Sequence, residues 1–332
     1  MTTQPQTVAV LGAGNMGTAL GHVIASNGHS VRLWSIEADV LEEIRDHQRN
    51  TKYLEGIHLH PNISAVWDMA EAVRGATLVV VSVPSQVVGS LARDLGASLT
   101  AGQIVLNVAK GLEGGTHLRM SEALAAGAPA SAPRIGSMGG PAIAIEMARG
   151  LPMAVIIGIP DAEACRTAQD TIQNNHLKVE TTTDTVGLEL CATLKNVYAI
   201  ALGICDGLGF GTNTKAFLAT VALKEMAAIA SALGGRGDTV FGLAGLGDLL
   251  TTGFSPHSRN RTLGEKLGAA SDWEHFLRTN TVEGVAACRA IGELVGGHDL
   301  SLHLFHTLHE VLFDRRAAPE ALRHFLAEFS YG

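Results

Sequence analysis

In Val8-Ala9-Val10-Leu11-Gly12-Ala13-Gly14-Asn15-Met16-Gly17-Thr18-Ala19-Leu20 an apolar run of strand character ends directly on glycines spaced G-x-G-x-x-G, at Gly12, Gly14 and Gly17. An apolar helical segment follows, to about Asn27. Gly12 allows the tight turn, Gly14 lets backbone approach a pyrophosphate, and Gly17 lets helix and strand pack closely, while the helix N-terminus faces the phosphate charge. A chain with 38 glycines produces such spacings by chance, so the strand before and the helix after are what give this one meaning. The expectation is a Rossmann-type dinucleotide site.

Working outward, short apolar runs at 7–11, 30–33, 78–83, 104–108, 153–157 and 178–181 alternate with longer helical segments. Most lack a polar alternate face, as strands covered by helices on both sides do. This predicts an α/β N-terminal domain with a mostly parallel sheet over 1–186. After Thr183 the texture changes: 185–205, 212–233, 283–295, 304–313 and 320–329 carry helical periodicity and comparable strand runs are missing. An all-α C-terminal domain over 187–332 is expected. The boundary at 183–188 holds no Pro/Gly linker, so a helix should run directly from the first domain into the second.

At about 150 residues per domain, 332 residues also suggest two domains. With 46% hydrophobic and 17% charged residues the chain is globular and not disordered. Its 32 acids against 24 bases give a formal charge of -8, which leaves no electrostatic driver for adhesion to nucleic acid or anionic lipid. An anionic ligand must therefore be held by a few local cations. No apolar run approaches the roughly 20 residues of a membrane span, and the uncharged start at 1–6 does not resemble a signal peptide, so a cytoplasmic protein without membrane insertion is expected. Cys165, Cys191, Cys205 and Cys288 lie far apart and form no CxxC pair, which predicts buried thiols rather than disulfides or a zinc site. His303, His306 and His309, like His58 and His60, lack the carboxylate company of a metal site, and no metal is expected.

The second strand ends in Ser35-Ile36, without the acid that usually binds the ribose hydroxyls of NAD; Glu37 comes slightly late. Arg32 is a candidate cation for a 2′-phosphate, or a partner for an acid elsewhere. NAD(H) and NADP(H) both remain open.

Several segments together resemble one family, the soluble NAD(P)-dependent glycerol-3-phosphate dehydrogenases of the bacterial type. They are the glycine turn, Asn50-Thr51-Lys52-Tyr53-Leu54-Glu55-Gly56, Val83-Pro84-Ser85, Lys110-Gly111-Leu112-Glu113, Leu194-Lys195-Asn196-Val197-Tyr198-Ala199, Asp206-Gly207-Leu208-Gly209-Phe210-Gly211 with Asn213-Thr214-Lys215, Gly242-Leu243-Ala244-Gly245-Leu246-Gly247-Asp248-Leu249, and Ser258-Arg259-Asn260. They occur in the family's order. The resemblance implies reversible reduction of dihydroxyacetone phosphate to sn-glycerol 3-phosphate, feeding phospholipid synthesis, with the substrate in the interdomain cleft. Such a reduction leaves an alkoxide, so a proton donor must sit beside the carbonyl. Lys195 is the candidate, on an apolar helical stretch that would desolvate its ammonium and lower its pKa. Lys110, after a parallel strand, is a second cation that would lower it further. Asp248, in a glycine-dense loop, could orient Lys195. By resemblance Lys110, Lys195 and Asp248 are catalytic; Gly140, Ala142, Asn196, Ser258, Arg259 and Asn260 join them in binding substrate. Gly12, Gly14, Asn15, Met16, Gly17, Ser35, Lys110, Ala144, Arg259, Val282 and Glu283 contact the cofactor.

Three departures bear on substrate fit. Gly140-Pro141-Ala142 loses a hydroxyl the family usually carries at Ala142, Val221 stands where an arginine is usual, and Gly89 replaces a basic residue. Gly14-Asn15-Met16-Gly17 also occurs in imine reductases such as pyrroline-5-carboxylate reductase, so a reductase of another small carbonyl or imine is an alternative, as is a non-catalytic NAD(P) sensor. An apolar helical second domain is compatible with a homodimer.

Overall fold

A computed structural model describes residues 4–329; residues 1–3 of the start read as no signal peptide lie outside them. The chain divides into two compact units, 1–109 with 113–185, and 110–112 with 186–332.

In the first unit eight strands form one sheet in the order β3-β2-β1-β4-β5-β6-β7-β8. They are β1 (Thr7–Leu11), β2 (Ser30–Trp34), β3 (Ile63–Val66), β4 (Leu78–Val81), β5 (Ile104–Asn107), β6 (Ile135–Gly139), β7 (Met153–Gly158) and β8 (Leu177–Thr182). The helices are α1 (Asn15–Ser26), α2 (Ala38–His47), α3 (Met69–Val73), α4 (Ser85–Gly96), α5 (Met120–Gly127), α6 (Ala144–Ala148) and α7 (Ala162–Ile172). All pairs are parallel except β6 with β7. The continuous apolar runs are explained by the two cores: Val8 and Val10 of β1 enter one, Ala9 and Leu11 the other, so neither face meets water. The order reverses at β1, which pairs with β2 on one side and β4 on the other, and ligands of such sheets collect at the carboxyl ends beside that point.

Two strands carry too little signal in the sequence. β3 is four residues with a mixed face. β6, Ile-Gly-Ser-Met-Gly, is fully buried yet low in β-branched residues, because a Cβ on Gly136 would fall 2.0 Å from the Gly158 carbonyl oxygen of the antiparallel neighbour.

The second unit is helical: α8 (Thr185–Gly207), α9 (Thr212–Ala232), α10 (Asp248–Phe254), α11 (Arg259–Gly268), α12 (Trp273–Thr279), α13 (Glu283–Val295), α14 (His303–Phe313) and α15 (Ala318–Glu328). The short α10, α11 and α12 are additional to the periodic segments expected from sequence. Contrary to the expectation that no apolar run nears spanning length, α8 is long and apolar enough to cross a membrane by length and composition; its apolar window is buried throughout within the protein. α8 meets α11 at very close range, since a Cβ on Gly203 would lie 2.0 Å from the Arg261 carbonyl oxygen and one on Gly264 2.0 Å from that of Ile200. That contact sets the start of α11, residues 258–260, against the middle of α8.

Candidate active site

Lys195 lies midway along α8 and is 6% exposed. Its Nζ donates to Thr252 Oγ1 at 2.7 Å and pairs with Asp248 Oδ1 at 3.2 Å. Lys110 Nζ takes the other oxygen of Asp248, at 2.5 Å. Thr252 Oγ1 in turn donates to Asp248 Oδ1 at 3.3 Å. Two ammonium groups and one hydroxyl thus converge on one buried carboxylate. Burial pushes the Lys195 ammonium down; Asp248 pulls it back up, the Lys110 charge lowers it again, and it settles at about 8. For Asp248, burial raises the carboxyl, and the two ammonium groups with their hydrogen bonds outweigh this and hold it below the usual carboxylate range. The centre therefore keeps a fixed carboxylate beside an amine able to change its charge near neutral pH.

Asp248 is not in a loop. A π-helical turn, Leu243–Gly247, leads into α10 with Asp248 as its first residue. A Cβ on Gly245 would lie 2.1 Å from the Val240 carbonyl oxygen, so the glycines serve close backbone packing. Thr252 sits one helical turn beyond Asp248, on the same face. Nothing in the sequence marks Thr252, because α10 has too few residues to show a helical period.

Asn196, Asn260 and Glu283 form a second network. Asn196 Nδ2 donates to Glu283 Oε2 at 3.2 Å, Asn260 Nδ2 donates to Asn196 Oδ1 at 2.9 Å, and the backbone N–H of Gly284 donates to Asn260 Oδ1 at 2.9 Å. Val282, 7% exposed, precedes Glu283 as the N-cap of α13. Ser258 caps α11, accepting from the Arg261 N–H at 3.2 Å, so the stretch is a helix start and not a plain surface loop. Arg259 is exposed, and its guanidinium has no partner among the described residues. The apolar Val221 is 2% exposed and fills a core position on α9.

In the first unit Gly12 has φ 113°, and a Cβ there would meet the Ser82 carbonyl oxygen at 2.3 Å. A Cβ on Gly17 would meet the Gly12 carbonyl oxygen at 2.0 Å. At Gly14 the same direction is open, with nothing within 4 Å. Since α1 also has no side-chain cap and no acid in its first turn, the turn offers space and unclaimed N–H groups where a pyrophosphate fits. Asn15 and Met16 open α1; Met16 leans on the core. Asn50, wholly buried and not among the expected site residues, braces the turn by donating to the Ala13 carbonyl at 2.8 Å and to Thr18 Oγ1 at 2.8 Å. Gly140 has φ 103°, Ala142 and Ala144 pack on the same core, and Ala144 starts α6. A Cβ on Gly89 would meet the Glu113 carboxylate, the movable end of that side chain. Among the described residues Arg32 has no acid as partner. Its Nη1 donates to the carbonyls of Glu71 and Arg74 at 3.1 and 2.7 Å, which ties β2 to α3.

Comparison with known proteins agrees with this geometry. Residues 7–165 match the family model for the N-terminus of NAD-dependent glycerol-3-phosphate dehydrogenase and residues 184–323 the model for its C-terminus. Glycerol-3-phosphate dehydrogenases named for NAD(P)+ from Geobacillus thermodenitrificans and Moorella thermoacetica are 38% and 39% identical; the alignments cover 97% and 93% of this chain and 95% and 92% of those proteins. The crystal structure of glycerol-3-phosphate dehydrogenase from Coxiella burnetii superposes with a TM-score of 0.89 at 31% identity, covering 97% of this chain and 99% of that one. With the glycine turn, the buried lysine and its carboxylate all in place, the chain belongs to the NAD-dependent glycerol-3-phosphate dehydrogenase family.

Proposed function

We propose that this chain reversibly reduces dihydroxyacetone phosphate to sn-glycerol 3-phosphate with NAD(P)H, supplying glycerophospholipid synthesis in the cytoplasm. The observation that carries the reading is the buried Lys195 amine, poised at about 8 and fixed by Asp248 and Thr252. When bound, the nicotinamide supplies the hydride. Lys195 in its ammonium form gives a proton to the alkoxide oxygen that reduction creates; as the neutral amine it takes the hydroxyl proton in the reverse direction. Asp248 stays ionised throughout, balances both ammonium groups and fixes where Nζ points. Lys110 supplies a standing positive charge that favours developing negative charge on the substrate oxygen. Arg259, exposed at the first position of α11, offers a guanidinium fork to the phosphate, and the helix start adds its dipole. In this reading residues 1–186 bind the dinucleotide, through Gly12, Gly14, Asn15, Met16, Gly17, Ser35 and Ala144, and residues 187–332 hold the substrate machinery. Asn196, Asn260 and Glu283 shape the substrate and cofactor contacts through their shared network, and Gly140 and Ala142 contribute backbone. The partners are a small phosphorylated substrate and a second copy of the chain, which light scattering on the purified protein checks.

The test is the initial rate of NADH and NADPH oxidation with dihydroxyacetone phosphate, in the wild type and in Lys195→Ala. General acid catalysis contributes about 10²–10⁴-fold, so the variant should lose at least about 10²-fold in kcat while still binding dinucleotide. Retained turnover removes Lys195 from the mechanism, and no wild-type rate on this ketone removes the substrate assignment.

A further inference from the structure

Lys215 lies in the first turn of α9 and is only 8% exposed, so its ammonium has to be met inside the protein. Nζ donates to both oxygens of Asp206, near the end of α8, at 2.9 and 2.7 Å. It also lies over the Phe254 ring, 4.4 Å from the centroid, which is cation–π range. Asp206 Oδ2 accepts in addition from Arg261 Nε at 2.6 Å.

The two outer members of this hub sit on either side of one corner. Phe254 is the last residue of α10, and Arg261 is the third of α11. Lys215 therefore meets one helix directly and the other through Asp206. Asp248 and Thr252 lie on the α10 side of the corner, and Ser258, Arg259 and Asn260 on the α11 side. Within the corner the Ser258 N–H donates to the Ser255 carbonyl at 3.3 Å and the His257 N–H to Ser255 Oγ at 3.2 Å, both long bonds. Arg261 is also the residue whose N–H Ser258 caps, so its side chain and its backbone hold the same helix start. The hub has a fixed origin as well. Lys195 and Asp206 stand on one helix about three turns apart, which places them on nearly the same face of α8. One end of that face meets Asp248 and Thr252, and the other meets the corner.

We propose that Lys215 is a positioning residue for the reaction: with Asp206 and Phe254 it fixes the corner between α10 and α11, and so sets Arg259 relative to Lys195 and Asp248. The inference rests on the reading above in which Arg259 holds the substrate phosphate. Lys215 acts through its neighbours and does not touch the substrate.

The test is steady-state reduction by the full-length protein of dihydroxyacetone phosphate and of the phosphate-free ketone dihydroxyacetone. Lys215→Met keeps the side-chain length and removes the charge. A misplacement of about 1 Å far from the chemistry costs about 10²-fold, so kcat/KM for the phosphorylated ketone should fall at least about tenfold. With dihydroxyacetone it should stay at the wild-type value. The inhibition constant of inorganic phosphate, which reads the anion subsite without any ketone, should rise with the loss, while the dinucleotide Kd and the pH limb set by Lys195 stay in place. Lys215→Arg should restore most of the rate, because a guanidinium can pair with Asp206 and stack on Phe254. Asp206→Asn retains the Lys215 charge and should show the same selective loss; unchanged or tighter phosphate binding in that variant would mean that Lys215 attracts the anion directly, and overturns the inference. Phe254→Leu, a change at a half-exposed side chain, should give part of the loss and decides the matter if Lys215→Met fails to fold. Equal losses on both ketones, or none on either, overturn the positioning role and leave the substrate assignment standing. A wild type inactive on dihydroxyacetone phosphate overturns both.

Discussion

In the proposed mechanism Lys195 is tuned by opposed influences: burial and the Lys110 charge lower its pKa and the adjacent Asp248 only partly restores it, leaving about 8. Reduction consumes the ammonium form, which dominates below about pH 8, so kcat/KM for ketone reduction should fall as pH rises through about 8. Alcohol oxidation needs the neutral amine and should rise through the same range. Asp248→Asn removes the carboxylate that supports the charged form, which moves the reductive limb to lower pH. It also strands two ammonium groups in a buried site, at a cost of about 3–5 kcal/mol. A pH–rate profile with a thermal melt of the same variant checks both; a reductive limb that stays at its wild-type position contradicts the assigned coupling.

At the scale of elements, the site depends on how closely α8 and α11 approach. Gly264 lies so near the Ile200 carbonyl that even a methyl group would have to push the helices apart. Gly264→Ala should cost about 1–3 kcal/mol of stability, as overpacking in a tight core does. It should also reduce activity, because Asn260 and Arg259 ride on the same helix. Denaturant unfolding and kcat/KM on one preparation test this, and an unperturbed variant would show that α11 can slide without consequence. The start of α11 has a second tether. Asp206 on α8 accepts from Lys215 Nζ at 2.7 Å and from Arg261 Nε at 2.6 Å, which joins α8, α9 and α11 through one carboxylate.

For the whole molecule, the buried Glu225 links stability to pH. Its carboxylate accepts from Tyr198 Oη at 2.9 Å and from the N–H groups of Leu304 and Phe305, at 2.7 and 2.9 Å, so it caps α14 from α9. Burial raises its pKa to about 7 from the ordinary 4.5, and the three hydrogen bonds only partly oppose this. Between those values the folded protein holds a proton that the unfolded chain has released, so this group's stabilising contribution is complete below about 4.5 and declines as pH rises through about 7. Glu225→Gln should lose that decline, and it should be less stable at low pH by about 1–3 kcal/mol because one buried acceptor is missing. Unfolding free energies across pH 4.5–8 in both proteins provide the check; parallel curves would contradict the assignment.

Legibility in the sequence followed the range of the interactions. The strand, glycine turn and helix of residues 8–20 form within one local unit, so apolar period and glycine spacing suffice to read them, and the anomaly of Lys195 on an apolar helix is equally local. Long-range packing decided the rest. Lys110 and Asp248 are 138 positions apart and meet only after the second unit folds around them. Thr252 depends on a short helix with too few residues to show a period. β6 is defined by the close passage of β7 rather than by its own side chains. Where the Glu37 carboxylate lies was decided by Lys52 and Tyr53, because a carboxylate's position is set by the donors that hold it and not by its place along the chain.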